Sequence, residues 1–327
     1  MSTPPPPLLF PPPGEPGSDP GVTALTWNVA ALWEQLAPLL PGLSIEVLRT
    51  VASTNSVLLE RASVRPEERR GSAGSALVRR SVESAAFGRR AADLQPSLLV
   101  AEQQSAGRGR QGRPWQSAAG ASLTFSLGVP LAMTDWSGLS LAVGVALCEA
   151  LDPIASGASP RLGLKWPNDL WLLDADANAA DGGVGARGGR KLGGILIETV
   201  AAAAQRLAVI GIGLNVLPFE ATAADLGSGF SAVCELDAAV TAPAVLARVA
   251  LPLVLALQQF EREGFGAFAA RFAARDLLCG RAVTTTHADL PHGIARGVAA
   301  NGALRVETPA GEIVNVASGE VSVRLGG

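Results

Sequence analysis

The pattern of apolar and polar residues changes near Gly280, and this change constrains the fold more than any other feature of the sequence. Five short segments of alternating apolar and polar residues follow it, separated by turns such as Asn301-Gly302. Alternation over about five residues is typical of strands, and an Asn-Gly pair favours a tight hairpin turn. Residues 278–327 therefore predict a small closed β-barrel.

The longer upstream part, residues 22–277, mixes strands with helices. Short apolar runs bounded by glycine, proline or polar residues predict strands at 45–51, 98–101, 122–129, 161–166, 192–200 and 207–216, the last two as a hairpin. Longer runs with helical spacing predict helices near 27–40, 139–151 and 243–275. Together they predict an α+β domain with a mixed, largely antiparallel sheet.

Three segments carry neither pattern. Residues 1–21 hold nine of the 23 prolines, which predicts a disordered leader because such a segment has little to bury. Residues 61–95 and 174–190 are polar and rich in glycine or arginine, and we expect two flexible insertions there.

The composition limits the binding partners and the cellular compartment that we expect for this protein. The net charge of −3 argues against a broad nucleic-acid-binding face. The most apolar stretch, residues 239–257, contains two prolines and an arginine, so it favours a core helix over a membrane span. Three scattered cysteines fit reduced thiols. We therefore expect a cytoplasmic protein that binds neither nucleic acid nor membrane.

Lysine is almost absent from the chain. Of 26 basic residues, only Lys165 and Lys191 are lysine. Arginine does not replace lysine where a compact ammonium is needed, so these two lysines are candidates for chemistry. Chance survival is the alternative, and the positions of the two lysines argue against it.

The segment AGRGRQGRPW at residues 106–115 alternates three glycines with three arginines. Glycine lets a backbone wrap closely around a ligand, and arginine presents N–H forks to carboxylate or phosphate. The alternative is an RGG-like nucleic-acid tail. Because the segment occurs once, between two apolar strands, we interpret it as a small-anion loop that is mobile without its ligand.

Three further motifs combine strands with polar residues or glycines: KWPND (165–169), KLGGILIE (191–198) and GIGLNV (211–216). KWPND puts Lys165 where a strand ends at Pro167, and Asn168 and Asp169 can either cap the next element or orient a ligand. KLGGILIE and GIGLNV place glycines within apolar strands, which indicates close approach of a ligand or tight sheet packing. The Gly-x-Gly in GIGLNV is no dinucleotide fingerprint, since neither a third glycine nor a helix follows it.

Taken in order, STN (53–55), AEQQSAGRGRQGRPW (101–115), KWPND, KLGGILIE and GIGLNV resemble the motifs of biotin–protein ligases. The resemblance implies a catalytic domain like those of class II aminoacyl-tRNA synthetases, and a C-terminal SH3-like barrel. It implies that biotin and ATP form biotinyl-AMP, from which biotin passes to a lysine of a biotin carboxyl carrier protein. The proline-rich start predicts the form without an N-terminal DNA-binding domain.

The resemblance also implies roles for individual residues. The catalytic residues would be Lys165, Arg108 and Arg110. Biotin would contact Ser53, Thr54, Asn55, Gln104, Gly107, Arg108, Gly109, Arg110, Lys165, Gly193 and Gly194. ATP would contact Arg110, Arg113, Trp115, Asn168, Lys191 and Asn215. Mg²⁺ would accompany ATP on phosphate oxygens, so no protein ligand is named for it.

Three alternatives remain at this stage. A lipoate– or octanoate–protein ligase shares the fold, but its family carries a different arginine and glycine motif. A transcription factor with biotin as corepressor would need a DNA-reading module. A non-enzymatic biotin-binding module would not need Lys165 and the two loop arginines. The expected partner is the carrier domain of an acyl-CoA carboxylase, and the chain is expected to be a monomer or homodimer.

Overall fold

The computed structural model describes residues 25–63, 83–87, 94–155, 158–174, 188–202, 205–219, 229–317 and 323–325. They form two β-sheets with helices packed against the larger one. The leader expected at 1–21 and most of the insertion expected at 174–190 lie outside the described residues.

Eight strands form the larger sheet: β1 (Ser44–Val51), β2 (Glu83–Phe87), β3 (Ser97–Gln104), β4 (Ser122–Leu131), β5 (Leu162–Lys165), β6 (Asp169–Leu173), β7 (Gly189–Ala202) and β8 (Gln205–Asn215). Their order is β2-β1-β3-β4-β8-β7-β6-β5. Every neighbouring pair is antiparallel except β1 and β3, which run parallel. The predicted α+β class with a mixed sheet is confirmed.

In the described part of the chain, five α-helices accompany the sheets: α1 (Val29–Leu36), α2 (Thr54–Ser63), α3 (Leu139–Leu151), α4 (Ala242–Glu263) and α5 (Ala269–Ala273). Helix α3 is apolar apart from Ser140 and Glu149, and most of it is buried between the sheet and α4. A helix without a polar face is stable only where every side is covered. Helix α3 therefore forms the centre of the core, with Val143, Val145 and Leu147 fully buried.

Helix α4 is long and apolar enough, by length and composition, to cross a membrane. One face, which includes Val245, Val249 and Leu253, is buried in the core. The side chain of Thr241 caps its N-terminus by accepting a hydrogen bond from the backbone N–H of Ala244. The packing agrees with the core helix that the sequence predicts.

The smaller sheet consists of β9 (Ala282–Thr285), β10 (His292–Val298), β11 (Leu304–Glu307), β12 (Ile313–Val316) and β13 (Val323–Leu325). The order is β12-β11-β10-β9-β13, with antiparallel pairs throughout. The predicted C-terminal β domain is confirmed, and the predicted Asn-Gly turn connects β10 to β11.

Two sequence expectations need correction. The insertion expected over 61–95 is not uniformly irregular, because α2 continues to Ser63 and residues 83–87 form the edge strand β2. Weak alternation in this segment concealed a strand that exists through its pairing with β1. Strand β6 was not predicted, because the polar KWPND turn precedes it and only five residues carry it. The β7–β8 hairpin is confirmed.

Candidate active site

A cavity of about 360 Å³ lies at one edge of the larger sheet. Its walls come from the C-terminal ends of β3, β5 and β8 and the N-terminal ends of β6 and β7. The start of α2 and residues 106–115, the arginine-rich loop, complete them. Every residue of the predicted biotin and ATP sets lines this cavity except Gly107 and Gly193. The fold thus brings together motifs that are far apart in the chain.

Gly107 and Gly193 lie behind the residues that line the cavity, because each is packed closely against neighbouring backbone. A β-carbon at Gly107 would lie 2.4 Å from the carbonyl oxygen of Trp115, and one at Gly193 would lie 2.5 Å from that of Gly213. Gly107 therefore lets the loop close on itself, and Gly193 lets β7 approach β8. The biotin contacts expected for these two glycines stay a prediction.

The arginine-rich loop is closed by its own backbone hydrogen bonds. The N–H of Gly109 donates to the carbonyl of Arg113 at 2.7 Å, and that of Trp115 donates to the carbonyl of Gly107 at 2.8 Å. Gln111 and Gly112 make the turn with positive φ angles of 55° and 69°. The mobility expected of the ligand-free loop is a dynamic property and stays a prediction.

One end of the cavity is polar and uncharged. The backbone N–H of Thr54 donates to Oε1 of Gln104 at 2.7 Å. The hydroxyl of Ser126 lies 2.6 Å from Thr54 Oγ1 and also 2.6 Å from Asn55 Oδ1. Ser126 is fully buried on β4 and does not line the cavity, so it orients the residues that do.

Asn55 is held from two sides. Its Nδ2 donates to the carbonyl of Leu196 at 3.1 Å and to Oε2 of Glu198 at 2.8 Å. Both N–H donors are therefore used within the protein, and Oδ1 is the atom with capacity left to accept from a ligand.

Glu198 also contacts the arginine-rich loop. Nη2 of Arg108 lies 3.1 Å from Oε1 of Glu198 and 3.2 Å from Oε2. Sequence reasoning missed Ser126 and Glu198. The available signal was a hydroxyl and a carboxylate within largely apolar strands, where a polar side chain usually needs a partner.

Two lysines lie on β5 and β7, the strands on either side of β6. Lys165 is the last residue of β5 and pairs in register with Asp169, the first residue of β6. Its Nζ lies 5.3 Å from the centroid of the Trp171 ring. Nζ of Lys191 lies 2.9 Å from Oδ1 of Asp169 and 5.8 Å from the ring centroid of Trp115. Both lysines line the cavity.

Arg110 supplies a third cation. Its Nη1 donates to Oδ1 of Asn168 at 3.4 Å, and Nδ2 of Asn168 donates to the carbonyl of Ile195 at 2.8 Å. Burial lowers the pKa of Arg110, while the nearby Asp169 carboxylate opposes that shift. A partly desolvated guanidinium attracts an anion more strongly than one in water does.

The glycines of GIGLNV make room for two site residues. A β-carbon at Gly211 would lie 2.3 Å from Oδ1 of Asn55, and one at Gly213 would lie 2.4 Å from the ring of Trp115. Asn215 ends the strand and donates from Nδ2 to the carbonyl of Ser231 at 3.0 Å. These glycines therefore shape both the polar end and the aromatic wall of the cavity.

Metal ligands are sparse within the described ranges. No group of three or more His, Cys, Asp or Glu side chains there could hold a metal ion. Of the carboxylates at the site, Asp169 is paired with Lys191 and Glu198 with Arg108.

Comparison with known families identifies two regions of the chain. The family described as "Biotin/lipoate A/B protein ligase family" matches residues 89–215. The family described as "Biotin protein ligase C terminal domain" matches residues 278–324. The first match includes the arginine-rich loop, both lysines and the β7–β8 hairpin, and the second includes the smaller sheet up to residue 324.

Individual related proteins agree with these two family matches. The chain is 35% identical over 241 residues to the biotin–[acetyl-CoA-carboxylase] ligase of Mycobacterium tuberculosis, covering 70% of this chain and 80% of that protein. It is 30% identical over 295 residues to the bifunctional ligase/repressor BirA of Escherichia coli, covering 89% and 77%. The biotin protein ligase of Aquifex aeolicus, solved with biotin and ATP, has a similar fold, with a TM-score of 0.61, 24% identity, and coverage of 86% and 99%.

Proposed function

Because the chain belongs to the biotin protein ligase family, we propose that it is an ATP-dependent biotin–[biotin carboxyl carrier protein] ligase. A biotin carboxylate oxygen attacks the α-phosphorus of ATP, the bond to the β-phosphate oxygen breaks, and pyrophosphate leaves. The amine of a carrier lysine then attacks the carbonyl carbon of biotinyl-AMP. The C–O bond breaks, AMP leaves, and the amine nitrogen loses a proton.

The observation that carries this proposal is the convergence of three cations beside an uncharged polar pocket. Lys165, Lys191 and Arg110 line the same cavity as Thr54 and Asn55. The first half-reaction joins two anions, and a fixed cation between them lowers their repulsion and stabilises the charge that develops. Biotin has an uncharged ureido ring at one end and a carboxylate at the other, which matches this division.

The uncharged end would hold the ureido ring. Oδ1 of Asn55 can accept a ureido N–H, and the hydroxyl groups of Ser53 and Thr54 can exchange hydrogen bonds with the ring. Gln104 already fixes Thr54, so it would act by orienting that residue. Gly109 and Gly194 line the path between the two ends.

Lys165 would bridge the biotin carboxylate and the α-phosphate. Its place at a strand end fixes the backbone while leaving the ammonium at the cavity, and Trp171 covers one side of it. Arg110 would bind the same anions and cover the mixed anhydride against water. Lys191 would leave Asp169 to contact the ATP phosphates, together with Arg113 of the loop.

The nucleotide would lie along Trp115. The ring of this residue packs over Gly213, and an aromatic face of this kind suits an adenine base. Asn168 and Asn215 line the same part of the cavity and offer amide groups to the nucleotide. Mg²⁺ would enter bound to ATP as part of the substrate, held mainly by phosphate oxygens.

The ion pair of Arg108 supports a different role for this residue from the catalytic one that the resemblance implies. Its guanidinium is paired with Glu198, so its charge is already compensated. We therefore assign Arg108 to holding the loop against β7, and we assign the catalytic cations to Lys165 and Arg110.

The second substrate would be the carrier domain of an acyl-CoA carboxylase, whose modified lysine must reach the anhydride. We expect the reaction in the cytoplasm, since the three cysteines are unpaired thiols. We expect the protein to act as a monomer or homodimer, without nucleic acid or membrane.

ATP–pyrophosphate exchange with the purified protein tests the first half-reaction. Biotin, lipoate and octanoate would be compared as acid substrates, and exchange with biotin alone is expected. The dithiolane ring of lipoate has no N–H or O–H group, so it would leave the polar end of the cavity unpaired. Exchange with lipoate or octanoate but not biotin would overturn the proposal, as would no exchange with any acid.

A further inference from the structure

The smaller domain touches the KWPND motif at one hydrogen bond. Nε1 of Trp166 donates to the carbonyl oxygen of Gly302 at 3.0 Å. Trp166 is among the largest fully buried side chains of the described residues, with 1% exposure. Its ring therefore lies inside the protein, and its one donor group is satisfied from the other domain.

Gly302 can make this bond because nothing projects from its α-carbon. It has a φ of +79°, and a β-carbon there would lie 2.7 Å from the α-carbon of Gly138. Gly138 is the N-cap of α3, the central core helix. The Asn301-Gly302 turn is thus packed backbone to backbone against the helix that supports the sheet.

The turn is itself held in place. The N–H of Gly302 donates to the carbonyl of Ala299, and the N–H of Ala299 donates to the carbonyl of Ala303, both at 2.8 Å. Oδ1 of Asn301 accepts from the N–H of Ala303 at 3.1 Å. The Gly302 carbonyl is therefore presented to Trp166 by a closed, hydrogen-bonded turn.

We propose that Gly302 is a positioning residue for the adenylation reaction: its carbonyl fixes Trp166, and Trp166 fixes the adjoining Lys165. Trp166 directly follows Lys165 at the end of β5, so anchoring its indole sets the direction in which the chain leaves the strand. Of the described residues, none after Phe230 lines the cavity. The described part of the smaller domain would thus act on this step through the lysine.

The inference rests on the proposed function, and a pair of glycine variants tests it. Gly302→Ala places a methyl group against Gly138, whereas Gly311→Ala places one in open space. Both glycines have positive φ, +79° and +85°, so the backbone strain of alanine is matched. The substitutions differ in whether the turn must move away from Trp166.

ATP–pyrophosphate exchange and biotin binding would be measured for both variants and the wild type. Gly302→Ala should lower kcat for exchange roughly 10- to 100-fold relative to Gly311→Ala, because a small displacement of a catalytic group is costly. The KM for biotin should change less than about twofold, since the polar end is untouched. Equal kcat values in two folded variants would overturn the inference.

Trp166→Phe covers the case in which Gly302→Ala does not fold. It keeps an aromatic ring in the site but removes the Nε1 donor together with part of the indole. A fall in kcat with unchanged biotin binding is expected, and wild-type kcat in this variant would overturn the inference. Absence of exchange in the wild type would refute the proposed function and the inference together, whereas equal rates in wild type and variants refute the inference alone.

Discussion

Arg108 and Glu198 form an ion pair whose Nη2 and Oε1 atoms lie 3.1 Å apart, although 90 residues separate them in the chain. The same carboxylate accepts a hydrogen bond from Asn55 at 2.8 Å. One side chain thus joins the arginine-rich loop to the uncharged end of the cavity. Occupation of the pocket and closure of the loop are therefore expected to depend on each other.

Glu198→Gln tests this coupling. The amide keeps a hydrogen-bonding group near Asn55 but removes the charge that holds Arg108, so the loop should close less firmly over bound biotin. We expect the KM for biotin to rise about 3- to 10-fold. This corresponds to the loss of about 1 kcal/mol of interaction free energy when a half-exposed ion pair is broken. Steady-state exchange at varied biotin concentration measures it.

Glu149→Gln is the matched control for that variant. Glu149 pairs with Arg271 between α3 and α5, and its side chain is exposed to a similar degree. The Glu149→Gln substitution should lower the stability of the protein slightly and leave the KM for biotin unchanged. If both variants raise this KM equally, the effect is general and the role assigned to Glu198 is wrong.

Lys165→Ala should remove adenylate formation while leaving the fold intact. A partly exposed residue at a strand end contributes little to the core, but its ammonium would be the cation between the two reacting anions. We expect kcat for exchange to fall at least about 100-fold, with thermal unfolding within a few degrees of the wild type. Lys165→Arg should restore little, because the guanidinium is larger and planar. Near-normal exchange in the alanine variant would remove Lys165 from this role.

Gly211→Ala and Gly213→Ala should separate the two substrates. The first places a methyl group 2.3 Å from Asn55 and the second places one 2.4 Å from Trp115. Alanine at 211 should therefore weaken biotin binding more than ATP binding, and alanine at 213 should do the reverse. Calorimetric titration of each variant with each ligand measures both affinities. The same ligand preference in both variants would contradict the assigned walls.

Asp276 should make the protein less stable as the pH rises from about 4 to about 6. Burial raises the pKa of this carboxyl from 3.8 to about 6, and its Oδ2 has no hydrogen-bond partner among the described residues. The folded state therefore binds the proton more tightly than the unfolded chain does, so ionisation lowers the free energy of unfolding. This contribution is complete below pH 4 and lost above pH 6.

Asp276→Asn removes that titration. Asparagine keeps an oxygen for the backbone N–H of Leu278, which donates to Asp276 Oδ1 at 2.9 Å, and carries no charge. At pH 8 the variant should be more stable than the wild type by about 1 to 3 kcal/mol, from a shift of about two pKa units. At pH 4 this advantage should vanish. Chemical unfolding at both pH values measures the difference, and an advantage that is the same at both would contradict the titration of Asp276.

Local patterns were sufficient for most of the secondary structure. The β7–β8 hairpin, helix α3 and the strands of the smaller sheet follow from apolar periodicity and turn residues. Strands β2 and β6 escaped prediction because they are short and exist through pairing with β1 and β7. Strand formation in such segments depends on a partner that a local window does not include.

By itself, the sequence determined the chemistry available to this protein: the arginine-rich loop, two lysines in a chain that otherwise uses arginine, and polar motifs at strand ends. Tertiary structure alone decided which of these groups meet. The pairing of Arg108 with Glu198, the contact of Trp166 with Gly302 across 136 residues, and the packing of Gly193 behind the wall all depend on strand register and domain docking. Periodicity reports which face a residue occupies, whereas register determines which residue lies opposite it.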